Sequence, residues 1–552
     1  MGIKRVKIKD FKCFRGFFEV ELNPRMNILV GKNEAGKSTV LEAIHLALTG
    51  MYRGRNIRNE LSQYLFNSET VSEYIGSVNS GNPIEPPSVL IEVYFDGSIA
   101  PEFEGNGNSE QQNKVEGLKF EIVYNHKYDD EYEQLIAQMM EKKNMQSLPI
   151  EYYEATWESF ARKVITTKSI PVKSAMIDSS NYRYQNGSDV YISRIVKDLL
   201  SPDEVTAVAQ AHRNMKDLFI NDPSIDAINK RIQRETTIVD GTVSLSVDLG
   251  TKNAWENSLV TQLNDIPFGF IGKGAQCVLK TELALTHKQA QNAQVVLLEE
   301  PESHLSFSKL NQLISAIEAK YGDKQIMIST HSSFVANKLG LNHLLLLANH
   351  KITKITELPS AEFFRRIAGY DTLRMLLSKK AILVEGDSDE LVLQKAYMKE
   401  HEGKLPIEDG IDVISVGISF LRFLEIAKKL ELQVAVVTDN DGDLGALGRK
   451  YADYLGENQR SNIRICYDKT IDTGDLKIGK NAYNYNTLEP KIIKANGENL
   501  ELFNSLFGIE YADVDDLRKY MKHHKTECAL AIFDTNQEIV FPDYILEAIR
   551  DE

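Results

Sequence analysis

Cysteine is scarce, with four in 552 residues: Cys13, Cys277, Cys466 and Cys528, none at the paired spacing of a metal site. That argues against a disulfide scaffold and fits a reducing cytosol. No apolar run reaches the length of about 18 residues that a membrane span needs. The opening stretch MGIKRVKIKD lacks the apolar centre of a signal peptide, so a cytoplasmic protein is expected. An excess of positive charge is also missing: 79 Asp and Glu against 64 Lys and Arg leave a net charge of −15. That counts against a general nucleic-acid coat protein, because phosphate binding leaves a basic footprint. It leaves room for a metal-dependent nuclease, since carboxylates gathered at a metal site raise the acidic count and bound cations reverse the local field. Any DNA path must then be a local basic stripe. Internal repeats and low-complexity tracts are absent. The remainder, 42% hydrophobic and 26% charged, is ordinary for a soluble globular protein. Its length calls for roughly two to four domains.

Two apolar runs near the C-terminal end carry the chemistry. Ala381–Val384 reads as a buried strand with Glu385 at its end, Gly386 to turn the backbone, and Asp389 at the start of a helical pattern. About fifty residues later Val434–Val437 repeats the design, with Asp439, Asp441 and Asp443 crowding its exit. A lone acid in such a place is a helix cap or a solvated loop. Two strand-then-acid segments instead put carboxylates in one crevice at the carboxyl ends of parallel strands. Hard oxygen donors suit Mg²⁺ or Mn²⁺ and suit Zn²⁺ poorly. Asp443 reads better as a turn cap than as a ligand.

Near the N-terminus, Ile3–Phe14 alternates apolar and basic residues as a half-buried strand, and Phe18–Leu22 is its expected partner. Met26–Val30 leads into GKNEAGKST, Gly31 to Thr39, followed by a helical run over Thr39–Leu48. Strand, GxxxxGKS and helix together make a P-loop. Its residues Asn33, Gly36, Lys37, Ser38 and Thr39 would wrap the phosphates of ATP at a helix N-terminus, Lys37 reaching the β and γ groups and Ser38 holding Mg²⁺.

Between these regions, Val89–Phe95 and Leu118–Tyr124 read as strands around a polar loop, and Glu131–Lys143 as a helix. Ser201-Pro202-Asp203 is a helix start. Val205, Val208, His212, Met215 and Phe219 follow at helical spacing, and a second helix carries Ile225, Ile228 and Ile232. That stripe is either domain core or a dimer contact.

KIKDFKCFRG followed by a P-loop resembles the recombination and repair ATPases of the ABC superclass. The resemblance implies that VVLLEEPESHL (Val295–Leu305) supplies the Walker B acid, Glu299, and a water-polarising base, Glu300, with Ser303, His304 and Leu305 as the D-loop. It likewise implies that QIMISTHSS (Gln325–Ser333) presents His331 as the γ-phosphate switch, and that FIGKGAQ (Phe270–Gln276) stands for the signature loop through Gly272 and Gly274. Gln63 is the Q-loop candidate. In such enzymes the signature loop completes a partner's nucleotide site, so ATP would be sandwiched between two subunits.

The Glu-then-DxD pair resembles the Toprim fold of topoisomerases, primases and a group of nucleases. Joined to the ATPase, it resembles the OLD (overcoming lysogenization defect) family, including its Gabija-type antiphage and retron-associated branches. The implied fold is α/β: an ABC-type ATPase at 1–360 with an insertion at about 130–240 that holds candidate dimerisation helices, a linker at 361–377, and a Toprim nuclease domain at 378–552. The family pattern makes Glu385, Asp389, Asp439, Asp441 and Glu489 metal ligands. It places Lys525, with Lys522 as the fallback, on the scissile phosphate. His523 and His524 are adjacent and would point apart on a helix, so they are no metal pair. The implied activity is ATP-regulated DNA cleavage in antiphage defence, by a homodimer or higher homo-oligomer, with an accessory defence protein or retron nucleic acid as further partners. Two alternatives stay open: a repair ATPase with a non-cleaving Toprim docking domain, and a topoisomerase or primase.

Overall fold

The structure is a computed structural model that describes residues 2–97, 100–178, 184–185, 188–189, 200–235, 243–247, 261–286, 292–303, 305–330, 343–348, 350–354 and 369–550. The chain forms two compact units, Met1–Leu29 with Gly36–Thr330, and Val30–Ala35 with His331–Glu552.

The first unit holds two sheets. One is antiparallel, with Gly2–Lys9 between Phe17–Glu21 and Val89–Asp96, and Val115–Tyr124 next, itself paired with Tyr153–Ser159. Alternation explains it: Ile3, Val6 and Ile8 are fully buried, whereas Lys4 faces solvent. The first strand stops at Lys9, short of the expected Phe14, because Asp10 and Lys12 take positive φ. In the other sheet the order is Ser174–Asp178, Val295–Glu299, Gln325–Thr330, Met26–Gly31, and its first three strands are parallel neighbours. These strands are near-continuous apolar runs, as burial on both faces requires. Helix Lys37–Thr49 buries Val40, Leu41, Ile44 and Leu48, and the Trp157 indole N–H donates to the carbonyl of Ala47 at 2.9 Å.

The helical stripe has a different fate from a core. Helix Pro202–Ile220 starts with a complete capping box between Ser201 and Glu204 but buries none of its residues, and Met215, Leu218 and Phe219 are exposed. Helix Pro223–Glu235 follows and buries Ile225. The domain-core reading therefore does not hold for the first helix within this chain.

The second unit contains a four-stranded parallel sheet in the order Ile411–Ser415, Lys380–Val384, Gln433–Val437, Ile463–Cys466. The chain moves outward one way from the second strand and then returns to its other side, so the order reverses beside Lys380–Val384. Ligands of open α/β sheets bind at such a reversal, beyond the carboxyl ends. Helix Asp387–Glu400 packs Val392, Leu393 and Ala396 into a core shared with the C-terminal helices, including Cys528, Ala529 and Ile532. Residues 369–377, placed in a linker by the sequence reading, form a helix with Leu373, Met375 and Leu376 buried. Residues 361–368 lie outside the described part.

Candidate functional site

The phosphate-binding loop has the strand–loop–helix form that its sequence demands. Gly36 is the N-cap of helix Lys37–Thr49, with φ 103°. A Cβ there would stand 2.7 Å from the Phe14 ring and 2.9 Å from Cys13 Sγ, so only glycine fits. Lys37 opens the helix and is 6% exposed. Burial lowers its pKa, while the charges of Glu300 and Glu302 act to keep the ammonium. Thr39 is buried in the first turn, Ser38 is half-buried and Asn33 is exposed. Glu299 ends its strand level with Asp178 and Ser329, and Glu300 follows in a left-handed conformation, φ 42°. Its N–H donates to the Ser329 carbonyl at 3.0 Å. Glu302, which the sequence reading passes over, adds a second acid near Lys37, and Thr330 donates to it. His331 and His304 lie outside the described residues.

The signature segment differs in detail from a glycine loop. The helix Lys273–Thr286 already includes Gly274, Gly272 lies just before it, and no neighbour crowds Gly272. Gln276 is buried and ties the turn by donating to Phe268 and Ile271 carbonyls at 2.8 and 3.0 Å. Gln63, the Q-loop candidate, accepts from the Leu148 N–H at 3.0 Å.

In the second unit the acids leave from aligned strand ends. Glu385 follows Val384 and is exposed; its carbonyl accepts from Gly417 N–H at 3.1 Å. Asp389 sits in the first turn of the next helix and caps it, accepting from Gly386 N–H at 3.0 Å. Asp439 follows Val437 by two residues on the neighbouring strand. Glu489 opens helix Leu488–Ala495 and is 5% exposed.

Burial and like charge act on this group together. Asp389 is pushed up to about 6 by burial, then by Glu489 and Glu385, against its bond from Gly386. Asp439 is held well above the carboxylate range by burial, then by Asp389, Glu489, Glu385 and Asp441. Carboxylates this close cannot all ionise cheaply without a cation. Lys525, the first residue of helix Lys525–Asp534, supplies one positive charge, with Nζ 3.0 Å from Glu489 Oε1. Burial disfavours its charge, yet Glu489, Asp439 and Asp389 raise its pKa. Lys522 instead lies over the Tyr483 ring at 5.6 Å. His523 ends one helix while His524 stacks on Tyr520 at 4.6 Å, so they form no metal pair.

A second layer of side chains holds the Asp439–Asp441 loop. Asp441 takes φ 47°, and the Asn484 amide donates to its Oδ1 at 2.9 Å. Between the two acids, Asn440 donates to the carbonyls of Asp468 and Thr470 at 2.6 and 2.9 Å. Lys491, 3% exposed, lies 2.7 Å from both Asp468 and Asp472. Burial opposes ionisation of that pair, but Lys491 keeps both below the usual carboxylate range. Asp443 caps the following helix by accepting from Ala446 N–H at 2.8 Å, the turn role expected of it. Asn484 and Lys491 escaped the sequence reading, since their partners lie 43 and about 20 residues away. Among the described residues no three His, Cys, Asp or Glu side chains already stand in ligating geometry. The donor set itself, carboxylate oxygens without sulfur or imidazole, fits a hard divalent cation.

Residues 5–158 match the family profile described as an AAA domain, and residues 376–441 match the "Overcoming lysogenization defect protein-like, TOPRIM domain". The chain is 23% identical over 356 residues to an ATP/GTP phosphatase of Helicobacter pylori, covering 60% of this chain and 85% of the relative. It is 31% identical over 86 residues to the DNA replication and repair protein RecF of Lactococcus lactis, covering 15% of this chain and 23% of the relative. RecF of Salmonella typhimurium is 36% identical over 78 residues, 13% of this chain and 22% of the relative. The chain therefore spans less than a quarter of the RecF proteins that it matches. Among solved structures, the SMC head domain from Thermotoga maritima aligns at 13% identity and a TM-score of 0.30, over 64% of this chain and 98% of that one.

Proposed function

From a chain that belongs to the OLD family, an AAA-type ATPase domain joined to an OLD-like Toprim domain, we propose an ATP-regulated, divalent-metal-dependent DNA endonuclease. The observation that carries the proposal is the gathering of Glu385, Asp389, Asp439 and Glu489 at the sheet's reversal point, where burial first and then their like charges raise Asp389 and Asp439. Glu385, Asp439 and Asp441 follow the carboxyl ends of adjacent strands, and together with Asp389 and Glu489 they would supply the carboxylate oxygens of the site. Divalent cations held there would activate the attacking water and neutralise the leaving oxygen of a phosphodiester displacement. Lys525, paired with Glu489 at 3.0 Å, would offer its ammonium to the scissile phosphate if Glu489 served as a metal ligand. In the ATPase domain, Lys37 and the helix N-terminus bind the nucleotide phosphates, Ser38 and Glu299 serve its Mg²⁺, and Glu300 polarises water. The relatives, an ATP/GTP phosphatase and a DNA replication and repair protein, support nucleotide hydrolysis and work on DNA. Antiphage defence, a cytoplasmic setting and a homo-oligomer belong to the same proposal.

Two observations favour a second reading, a repair ATPase with a docking Toprim domain: Lys525 already neutralises Glu489, and no closed ligand cage stands among the described residues. Plasmid cleavage with and without Mg²⁺ and ATP separates the two. The nuclease reading expects Mg²⁺-dependent nicking that Glu385→Ala abolishes while nucleotide binding persists. Cleavage at the parent rate in that variant, or none by the parent protein under any nucleotide condition, refutes it.

A further inference from the structure

A net charge of −15 and a nest of carboxylates repel a nucleic-acid backbone, so a DNA substrate needs a cationic element near the site. The structure offers one that neither the sequence motifs nor the ligand set includes. Lys477–Ile478 and Asn481–Ala482 form a short antiparallel hairpin with Lys477 opposite Ala482 and Ile478 opposite Asn481. Its two-residue turn is Gly479-Lys480, and Gly479 takes φ 64°, as the primed turns of tight hairpins require. Lys477 and Lys480 are both exposed. Neither side chain has a hydrogen bond or an ion pair among the described residues.

The hairpin is fastened to the carboxylate site at its root. Tyr483 N–H donates to the Leu476 carbonyl at 2.9 Å, and Leu476 N–H donates to the Tyr485 hydroxyl at 3.1 Å. Between those tyrosines, Asn484 holds Asp441 at 2.9 Å. Lys480 precedes Asn484 by four residues, and an extended chain spans at most about 3.6 Å per residue. The turn therefore stands no more than about 14 Å from the residue that grips the site, a reach of about four phosphates on one strand. The two lysines would act on the phosphates they touch rather than on the carboxylates, because exposed charges more than roughly 8–10 Å apart are screened. Lys522 lies over the ring of Tyr483, whose N–H anchors the hairpin.

We propose that the Lys477–Ala482 hairpin is a DNA-backbone clamp whose Lys477 and Lys480 neutralise phosphates flanking the scissile one. This rests on the nuclease reading and names how that site holds its substrate. The clamp is sequence-independent, since lysine ammonium groups meet phosphate as point charges.

The test measures binding of a short fluorescent DNA duplex to the full chain, with Ca²⁺ replacing Mg²⁺, between roughly 50 and 200 mM salt. Lys477→Ala with Lys480→Ala should make the slope of log affinity against log salt shallower by about 1.8, near 0.9 per lost phosphate contact. The remote pair Lys127→Ala with Lys142→Ala, exposed lysines of the first unit, should leave the slope unchanged. Thermal melting checks that both variants are folded. If the parent binds and the hairpin variant keeps its slope, or the remote pair lowers the slope equally, the clamp is wrong and the nuclease reading stands. If the parent binds no duplex at any salt, the nuclease reading itself fails and takes the clamp with it.

Discussion

Removing one acid from the carboxylate cluster should stabilise the metal-free protein. Asp389 is displaced from its ordinary 3.8 to about 6 by burial and by its acidic neighbours. At about 1.4 kcal/mol per pH unit, that corresponds to at most about 3 kcal/mol. A carboxyl whose folded pKa is raised holds its proton more tightly folded than unfolded. Its contribution is therefore full below pH 3.8 and is lost as pH rises through about 6. Asp439 is raised further and acts with the same sign. In EDTA, the second unit should thus be less stable at pH 7.5 than these two groups alone would make it at pH 5. Asp468 and Asp472, lowered by Lys491, act in the opposite sense and lose their contribution as pH falls below the usual carboxylate range. Asp439→Asn removes a carboxyl that burial and then its acidic neighbours hold well above the carboxylate range. It should raise the melting temperature in EDTA at pH 7.5 by several degrees, at roughly 2–4 °C per kcal/mol for a unit of this size. Mg²⁺ at about one hundred times its dissociation constant should stabilise the parent by about 2.7 kcal/mol and the variant far less. Differential scanning calorimetry at both pH values, with EDTA or Mg²⁺, reads all four states. An Asp439→Asn protein that melts lower in EDTA at pH 7.5, with an undiminished response to Mg²⁺, would refute the reasoning.

Lys37→Ala should abolish ATP binding, measured by calorimetric titration, while leaving the Mg²⁺-dependent stabilisation of the second unit intact. Lys491→Met removes a buried ammonium from half-buried Asp468 and Asp472, of which Asp472 keeps Lys494, and should cost about 1–3 kcal/mol in denaturant unfolding. Asn484→Ala frees Asp441 from its hydrogen bond, so half-maximal cleavage should need several-fold more Mg²⁺ with a smaller change in the rate at saturation.

The strands were legible because each is a short, nearly unbroken apolar run. Ala381–Val384 and Val434–Val437 were expected and stand at Lys380–Val384 and Gln433–Val437, side by side. Adjacency of Glu385 and Asp439 followed from that pattern, since acids at the carboxyl ends of neighbouring parallel strands share a crevice. The helix start at Ser201 was equally readable from its cap. Periodicity could not tell what covers an apolar face, so the stripe at Met215 and Phe219 read equally as core or as a dimer contact, and the chain leaves it exposed. Nor does a glycine pair reveal its conformation: Gly274 lies in a helix that its GxG setting conceals. The bonds of Asn484, Lys491 and Lys525 join residues far apart in sequence with no spacing rule, and only the folded chain brings them together.

Crystals soaked in Mn²⁺ show through anomalous scattering whether Glu385 and Asp439 share a divalent cation. A shared ion gives a peak within about 2.0–2.6 Å of oxygens from both carboxylates, with Lys525 drawn away from Glu489. A map with no peak between those strands, and Lys525 still seated on Glu489, would rule the shared ion out.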